Sequence, residues 1–172
     1  MKKLLFLLVF IPLVSFGQGT IFIGESSYIG TEPVSFEAKS GGDLTVSLAK
    51  DDNNKYIVVS IYSRFFANIT DKLIIYLDNG KVLISENIHY KDYYDSEALS
   101  MYLLTDEDIS EIINSNIFSI RYRVTDKYGN YEDSTANNLG AKTWEKDDLL
   151  FPTGEREPNT NFSELLKELI DN

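Results

Sequence analysis

The chain has 172 residues, with 27 acidic against 16 basic side chains, a formal charge of −11, one histidine and no cysteine. That balance disfavours nucleic acid and anionic membrane as partners. Without a thiol there are no disulfide staples, no cysteine nucleophile and no thiolate metal site, so a hydrophobic core alone has to hold the fold.

The first residues read as an export signal. Lys2 and Lys3 precede an apolar run from Leu4 to Val14, interrupted only by Pro12, and Ser15-Phe16-Gly17 follows. This is the layout of a secretory signal peptide over residues 1 to 17, with cleavage expected between Gly17 and Gln18. The run is too short to span a bilayer, which takes about 20 apolar residues. The expected mature chain begins at Gln18, carries −13 once Lys2 and Lys3 are gone, and is secreted or periplasmic with no membrane span.

From Gln18 to Thr31 the sequence is rich in Gly and Ser around Ile21-Phe22-Ile23, which reads as a first edge strand or a loosely attached arm. Val34 to Ala38 alternates after Pro33, and Ser40-Gly41-Gly42-Asp43 turns the chain. Leu44, Val46 and Leu48 then alternate with Thr45, Ser47 and Ala49, as in a half-buried strand. Beyond the polar turn Asp51-Asp52-Asn53-Asn54, the run Tyr56 to Tyr62 is apolar on nearly both faces. Such a strand belongs in the middle of a sheet or under another layer.

Lys72 to Tyr90 predicts a hairpin around Asp78-Asn79-Gly80, because Asn-Gly suits a two-residue turn with φ > 0 at both central positions. Val82 and Ile84 carry the return strand. The segment Asn87 to Ser96 is polar and aromatic and reads as a strand end or loop, after which Leu99, Met101 and Leu103 resume a strand. Thr105-Asp106-Glu107-Asp108 has the capping-box form, and Ile109, Ile112 and Ile113 share one face of the helix expected over Thr105 to Asn114. From Ile117 to Thr125 the period is two, with Phe118, Ile120, Tyr122 and Val124 toward the core and Ser119, Arg121 and Arg123 toward water.

Asp126-Lys127-Tyr128-Gly129-Asn130 reads as another hairpin turn, followed by a short return strand near Tyr131. Ser134 to Pro158 reads as a loop wrapping the domain. The C-terminus predicts a helix capped by Asn161, whose Phe162, Leu165, Leu166, Leu169 and Ile170 form one apolar stripe. So short a helix is marginal alone and must dock, on its own domain by default or in a partner's groove. The predicted fold is mainly β: a single antiparallel β-sandwich-like domain over 18 to 133, with one short internal helix, and with 134 to 172 adding the wrapping loop and the amphipathic helix.

The chemistry is less legible than the fold. His89 is the sole histidine, lies near Glu86 and Asp92, and has no Gly-x-Ser-x-Gly elbow to serve, so an ordinary turn residue is the simpler reading. Acidic pairs could serve a glycosidase, but most sit in turns and helix starts, where they have structural work. Calcium needs only oxygen ligands, and Asp51 and Asp52 in one turn, or Asp126 and Asp133 around another, are the candidates; no other cofactor is called for. The aromatic group Tyr90, Tyr93, Tyr94 and His89, joined by Trp144, is the candidate ligand platform, against the simpler reading that these rings close the end of a sandwich. The expected function is a non-enzymatic binding or structural module for a polysaccharide, peptide or protein. The alternatives are a carboxylate-dependent secreted hydrolase and a subunit of a cell-envelope assembly.

Overall fold

A computed structural model of the chain describes residues 18–38, 42–63, 66–86, 88–94, 96–139 and 159–171. The strands are β1 (Gln18–Ile23), β2 (Ser26–Thr31), β3 (Val34–Ala38), β4 (Leu44–Lys50), β5 (Lys55–Tyr62), β6 (Phe66–Leu77), β7 (Val82–Ser85), β8 (Ile88–Tyr94), β9 (Glu97–Leu104), β10 (Ile117–Asp126) and β11 (Tyr131–Asn137). Helix α1 (Asp106–Asn114) lies between β9 and β10, and α2 (Phe162–Asp171) follows the strands. The fold is mainly β and antiparallel, with one internal and one C-terminal helix, as the sequence predicts. No described helix is long and apolar enough to cross a membrane.

The strands form one continuous sheet in the order β7-β6-β10-β11-β3-β4-β5-β9-β8, with β2 joining β4 and β1 joining β2. The sheet curls until β6 meets β9 and β8, so the expected sandwich is a nearly closed barrel. Its two end strands, β7 and β8, are consecutive in the chain. Across the seam the bonds come from side chains: the Ser100 hydroxyl donates to the Ile69 carbonyl (2.8 Å) and the Tyr102 hydroxyl to the Asp71 carbonyl (3.1 Å). Ser100 and Tyr102 are both fully buried.

The barrel interior is filled by Leu44, Val46 and Leu48 from β4, Ile57, Val59 and Ile61 from β5, Leu73 and Ile75 from β6, and Ile120, Tyr122 and Val124 from β10. The other face of β5 is also covered, because the β1-β2 hairpin folds over the outside of the sheet. There Ile21, Ile23 and Tyr28 pack with Ala49, Tyr56, Val58 and Met101. This second layer explains the two apolar faces of β5, and it makes Gln18–Ile23 a paired strand, not a loose arm.

Helix α1 begins with the expected capping box, Thr105 accepting from the Asp108 amide while the Asp108 carboxylate accepts from the Thr105 amide. Ile112 is fully buried, and Ile109 and Ile113 pack at the margin of the core. Helix α2 docks on its own domain. Phe162, Leu166 and Leu169 are fully buried, and the Phe162 ring meets Phe36 edge-on at 5.5 Å between centroids. Two asparagines fasten its entry: Asn116 accepts from the Phe162 amide (2.8 Å), and both Asn116 and Asn138 donate to the Thr160 carbonyl. A buried Asn is tolerated where its amide is saturated in this way.

Four local expectations are corrected. The Asp78-Asn79-Gly80 turn is a three-residue loop and not a two-residue one, since Leu77 donates to the Lys81 carbonyl and only Gly80 has positive φ. Bonds from the Asp78 amide to the Asn116 carbonyl and from the Asn79 amide to the Ser115 hydroxyl hold that wider form. Phe118 points outward, about half exposed, because a register shift between Ile117 and Ser119 breaks the alternation of β10. The polar run from His89 to Tyr94 is strand throughout, and β11 continues to Asn137, where the expected loop had already begun. Residues 1–17 and 140–158, which carry the expected signal peptide and most of the expected wrapping loop, lie outside the described residues.

Replacing Phe162 with Ala removes a fully buried ring from the junction of helix and barrel, and should lower the stability of the mature chain by about 3–5 kcal/mol. Lys167→Ala, on the exposed face of α2, should stay within about 0.5 kcal/mol of the parent in the same urea titration. Equal effects would mean that the helix is not part of the core.

Candidate functional site

The described residues singled out by sequence do not gather in one place. His89 and Tyr90 both lie on the outside of the sheet, because a register shift between Ile88 and Tyr90 interrupts β8. The His89 ring lies against Tyr56 at 4.9 Å, Tyr28 packs edge-on to Tyr56 at 5.7 Å, and the Tyr90 hydroxyl reaches Asp92. Tyr28, Tyr56 and Tyr90 belong to the packing beneath the β1-β2 hairpin, while His89 is exposed. Tyr93 leaves the opposite side of β8, and its hydroxyl donates to the Ser63 carbonyl (3.4 Å). Tyr90 and Tyr93 therefore do not share a platform. The Tyr94 side chain and Trp144 lie outside the described residues.

The acidic candidates have structural partners. Asp51 accepts from the amides of Asn53 and Asn54 and from the Tyr56 hydroxyl (2.7 Å). Burial raises its pKa, but the Tyr56 hydroxyl and the amides of the turn outweigh that and hold it at about 2. Asp52 is exposed beside it, bordering a hollow of about 540 Å³ that also touches Thr20, Tyr28 and Lys50. Asp126 closes the β10-β11 turn by accepting from the amides of Tyr128 and Asn130 and from the Asn130 side chain, which hold its pKa down. Asp133 is on the face of β11 and is engaged with arginines. Among the described residues no three acidic or histidine side chains gather as a metal-binding group.

What the structure does assemble is a site on the outer face of β6, β10 and β11. It begins with a break in pairing: Ile74 faces Arg121 and Thr70 faces Arg123, so Asp71 to Leu73 of β6 stand opposite the single residue Tyr122. This is a bulge, the device by which a strand re-aims a side chain. Asp71 takes φ +67°, a conformation that Asp tolerates better than most residues. Its carboxylate is thereby aimed at Arg123 (3.0 Å), while its carbonyl receives Tyr102 from inside the barrel.

Arg123 is held on three sides. Its Nε and one terminal nitrogen fork onto Asp133 (2.7 and 3.2 Å), its other terminal nitrogen reaches Asp71, and the guanidinium lies over the Tyr131 ring at 4.5 Å. The bond to Arg123 is the main force lowering the Asp133 pKa, with Arg121 adding to it. Arg121 has only a 3.2 Å contact with an Asp133 oxygen that Arg123 already uses, and its side chain is 49 % exposed.

Two adjoining hollows, of about 270 and 480 Å³, lie over this face and share Arg121 and Asp133. One also touches Asp71, Lys72 and Ile74, and the other Tyr76, Phe118 and Thr135. The sequence revealed two arginines on a wet strand face. It could not reveal Asp71, which reaches Arg123 from 52 positions away through a backbone bulge.

Comparison with protein-family models, with curated proteins and with solved structures gives no match.

The Asp51 turn makes a prediction about acid stability. Its carboxylate titrates at about 2 in the folded chain and at an ordinary 3.8 when unfolded, so its contribution is complete above pH 3.8 and is lost as pH falls through about 2. The stability gap between the parent and Asp51→Asn should be widest above pH 3.8 and close toward pH 2 in urea melts across that range. A gap independent of pH would mean that the Asp51 charge does not matter to the turn.

Proposed function

We propose that the mature chain is an exported, non-enzymatic binding module that receives a peptide or protein on the outer face of β6, β10 and β11. The observation that carries this reading is the pair of hollows around Arg121, bordered by half-exposed Phe118 and by Tyr76 on one side and by the Asp71–Arg123–Asp133 network on the other. Aromatic and arginine side chains on a rigid surface are the composition of protein-binding hot spots. The same face continues onto β7 as Val82 and Ile84, about half exposed, which offer aliphatic contact to a peptide side chain.

Three further points support the reading. The Asp51, Asp126 and Asp133 carboxylates are shifted down and stay ionised, whereas a hydrolase acid has to be raised. The apolar stripe of α2 is spent inside the domain, so an assembly contact would fall to the exposed sheet face. Export follows from the expected signal peptide, and the acidic surface suits a protein that works in solution.

The test is a combined peptide and glycan array probed with residues 18–172, alongside Phe118→Ala and Tyr93→Ala. Phe118→Ala should weaken peptide binding about tenfold or more, and Tyr93→Ala should leave it unchanged. Peptide binding lost with Tyr93→Ala instead would move the site to β8, and glycan binding alone would overturn the choice of ligand.

A further inference from the structure

We propose that Arg121 anchors a carboxylate carried by an extended, acidic and apolar segment of a partner protein, laid across β7, β6 and β10. This rests on the binding-module reading above and names the chemistry of its ligand.

The network divides its hydrogen bonds unequally between the two arginines. A guanidinium offers five N–H donors in a planar fork. Arg123 spends its fork on Asp133 and Asp71 and is capped by Tyr131. Asp133 is thus largely consumed, and Arg121 is left with one 3.2 Å contact to an oxygen it must share. Among the described residues Arg121 has no other hydrogen-bond partner, so its fork is free to take a carboxylate side-on, the strongest pairing open to it. Arg123 and Asp133 meanwhile hold the surroundings rigid, which lowers the ordering cost of binding.

Local charge favours the same ligand. Lys72, Arg121 and Arg123 stand against Asp71 and Asp133 around the smaller hollow, leaving that spot net positive in a chain of net charge −11. Charges farther off are screened beyond about 8–10 Å at ordinary ionic strength, so the local balance decides what docks there.

Strand register lines up apolar contacts beside the arginine. Ile84, Ile74, Arg121 and Thr135 are successive cross-strand partners and form one row across β7, β6, β10 and β11. Val82 and Tyr76 form the neighbouring row. With strands about 4.8 Å apart, the backbone of Arg121 stands roughly 10 Å from that of Ile84. An extended segment crossing the strands sets apolar side chains over Ile84 and Ile74 and an acidic one at Arg121. A neutral sugar could take single bonds from the fork but offers neither the charge nor the paired oxygens of a carboxylate.

The test is a displayed peptide library balanced in acidic, neutral and basic residues, selected on residues 18–172. The enriched peptides are then synthesised with Asp and Glu either retained or replaced by Asn and Gln, and titrated against the parent, Arg121→Gln, Arg121→Lys and Phe118→Ala. Enrichment of acidic and apolar peptides is expected. Arg121→Gln and the amide replacement should each weaken binding about tenfold or more, and together no further, because they remove the same contact. Arg121→Lys should recover only part, since it keeps the charge and loses the fork. Peptides that need Phe118 but are indifferent to Arg121 and to their own carboxylates would overturn this inference and leave the binding-module reading standing. Failure to enrich any peptide would overturn both. All three substitutions are at exposed side chains, and an unchanged urea midpoint confirms that each variant is folded.

Discussion

Asp71 is the residue on which the inside and the outside of the barrel both depend. β6 and β9 face each other across a seam with no backbone ladder, so the curl of the sheet has to be held by other means. The buried hydroxyls of Ser100 and Tyr102 hold it by donating to the Ile69 and Asp71 carbonyls. A carbonyl left unpaired at such a place would cost about 1–3 kcal/mol, which makes these two bonds a substantial part of closure. For its carbonyl to point inward while its carboxylate points outward, Asp71 adopts a left-handed conformation within the bulge. Strain of this kind persists only where the surroundings over-determine it. Here the barrel seam holds one end of the residue and Arg123 the other.

The outer site follows from that arrangement. The bulge adds local twist, brings Arg123 and Asp71 together across two strands, and lets Arg123 take the better share of Asp133. Arg121 is then left with unspent donors, in a row that runs from aliphatic Ile84 to polar Thr135. The face is rigid because it is sheet, anchored beneath by Ile75, Ile120 and Leu73, all fully buried. The opposite side of the barrel is treated differently. There the β1-β2 hairpin covers the sheet, and Tyr28, Tyr56 and Tyr90 are spent on packing beneath it.

Local signals were legible and long-range ones were not. The capping box at Thr105, the stripe of α2 and the two apolar faces of β5 each depend on residues a few positions apart, and each appears in the structure as read. The hairpin at Asn79-Gly80 was placed correctly but drawn too tight, because what widens it is the Ser115 hydroxyl, more than thirty positions on. Strand β8 is not legible because Ile88–Tyr94 carries no apolar alternation, and a register shift between Ile88 and Tyr90 breaks its pairing with β9. Phe118 was turned the wrong way because a single register shift reverses which side chains face the core. The arginines of the site were visible on the wet face of β10. Their partners were not, since Asp71 contributes through its backbone geometry and Asp133 sat among carboxylates that read as a metal turn.

The most direct measurement compares the stabilities of Asp71→Gly and Asp71→Ala in the mature chain. Both lose the carboxylate and its bond to Arg123, so their difference reports the backbone alone. In an ordinary strand Gly is less stable than Ala by roughly 0.5–1 kcal/mol. At a left-handed bulge the order reverses, because Ala carries a Cβ penalty of about 1–2 kcal/mol that Gly escapes. Asp71→Gly should therefore be the more stable of the two in urea unfolding. If Asp71→Ala is the more stable, the bulge does not hold Asp71 as described, and neither the seam nor the outer site is built around it.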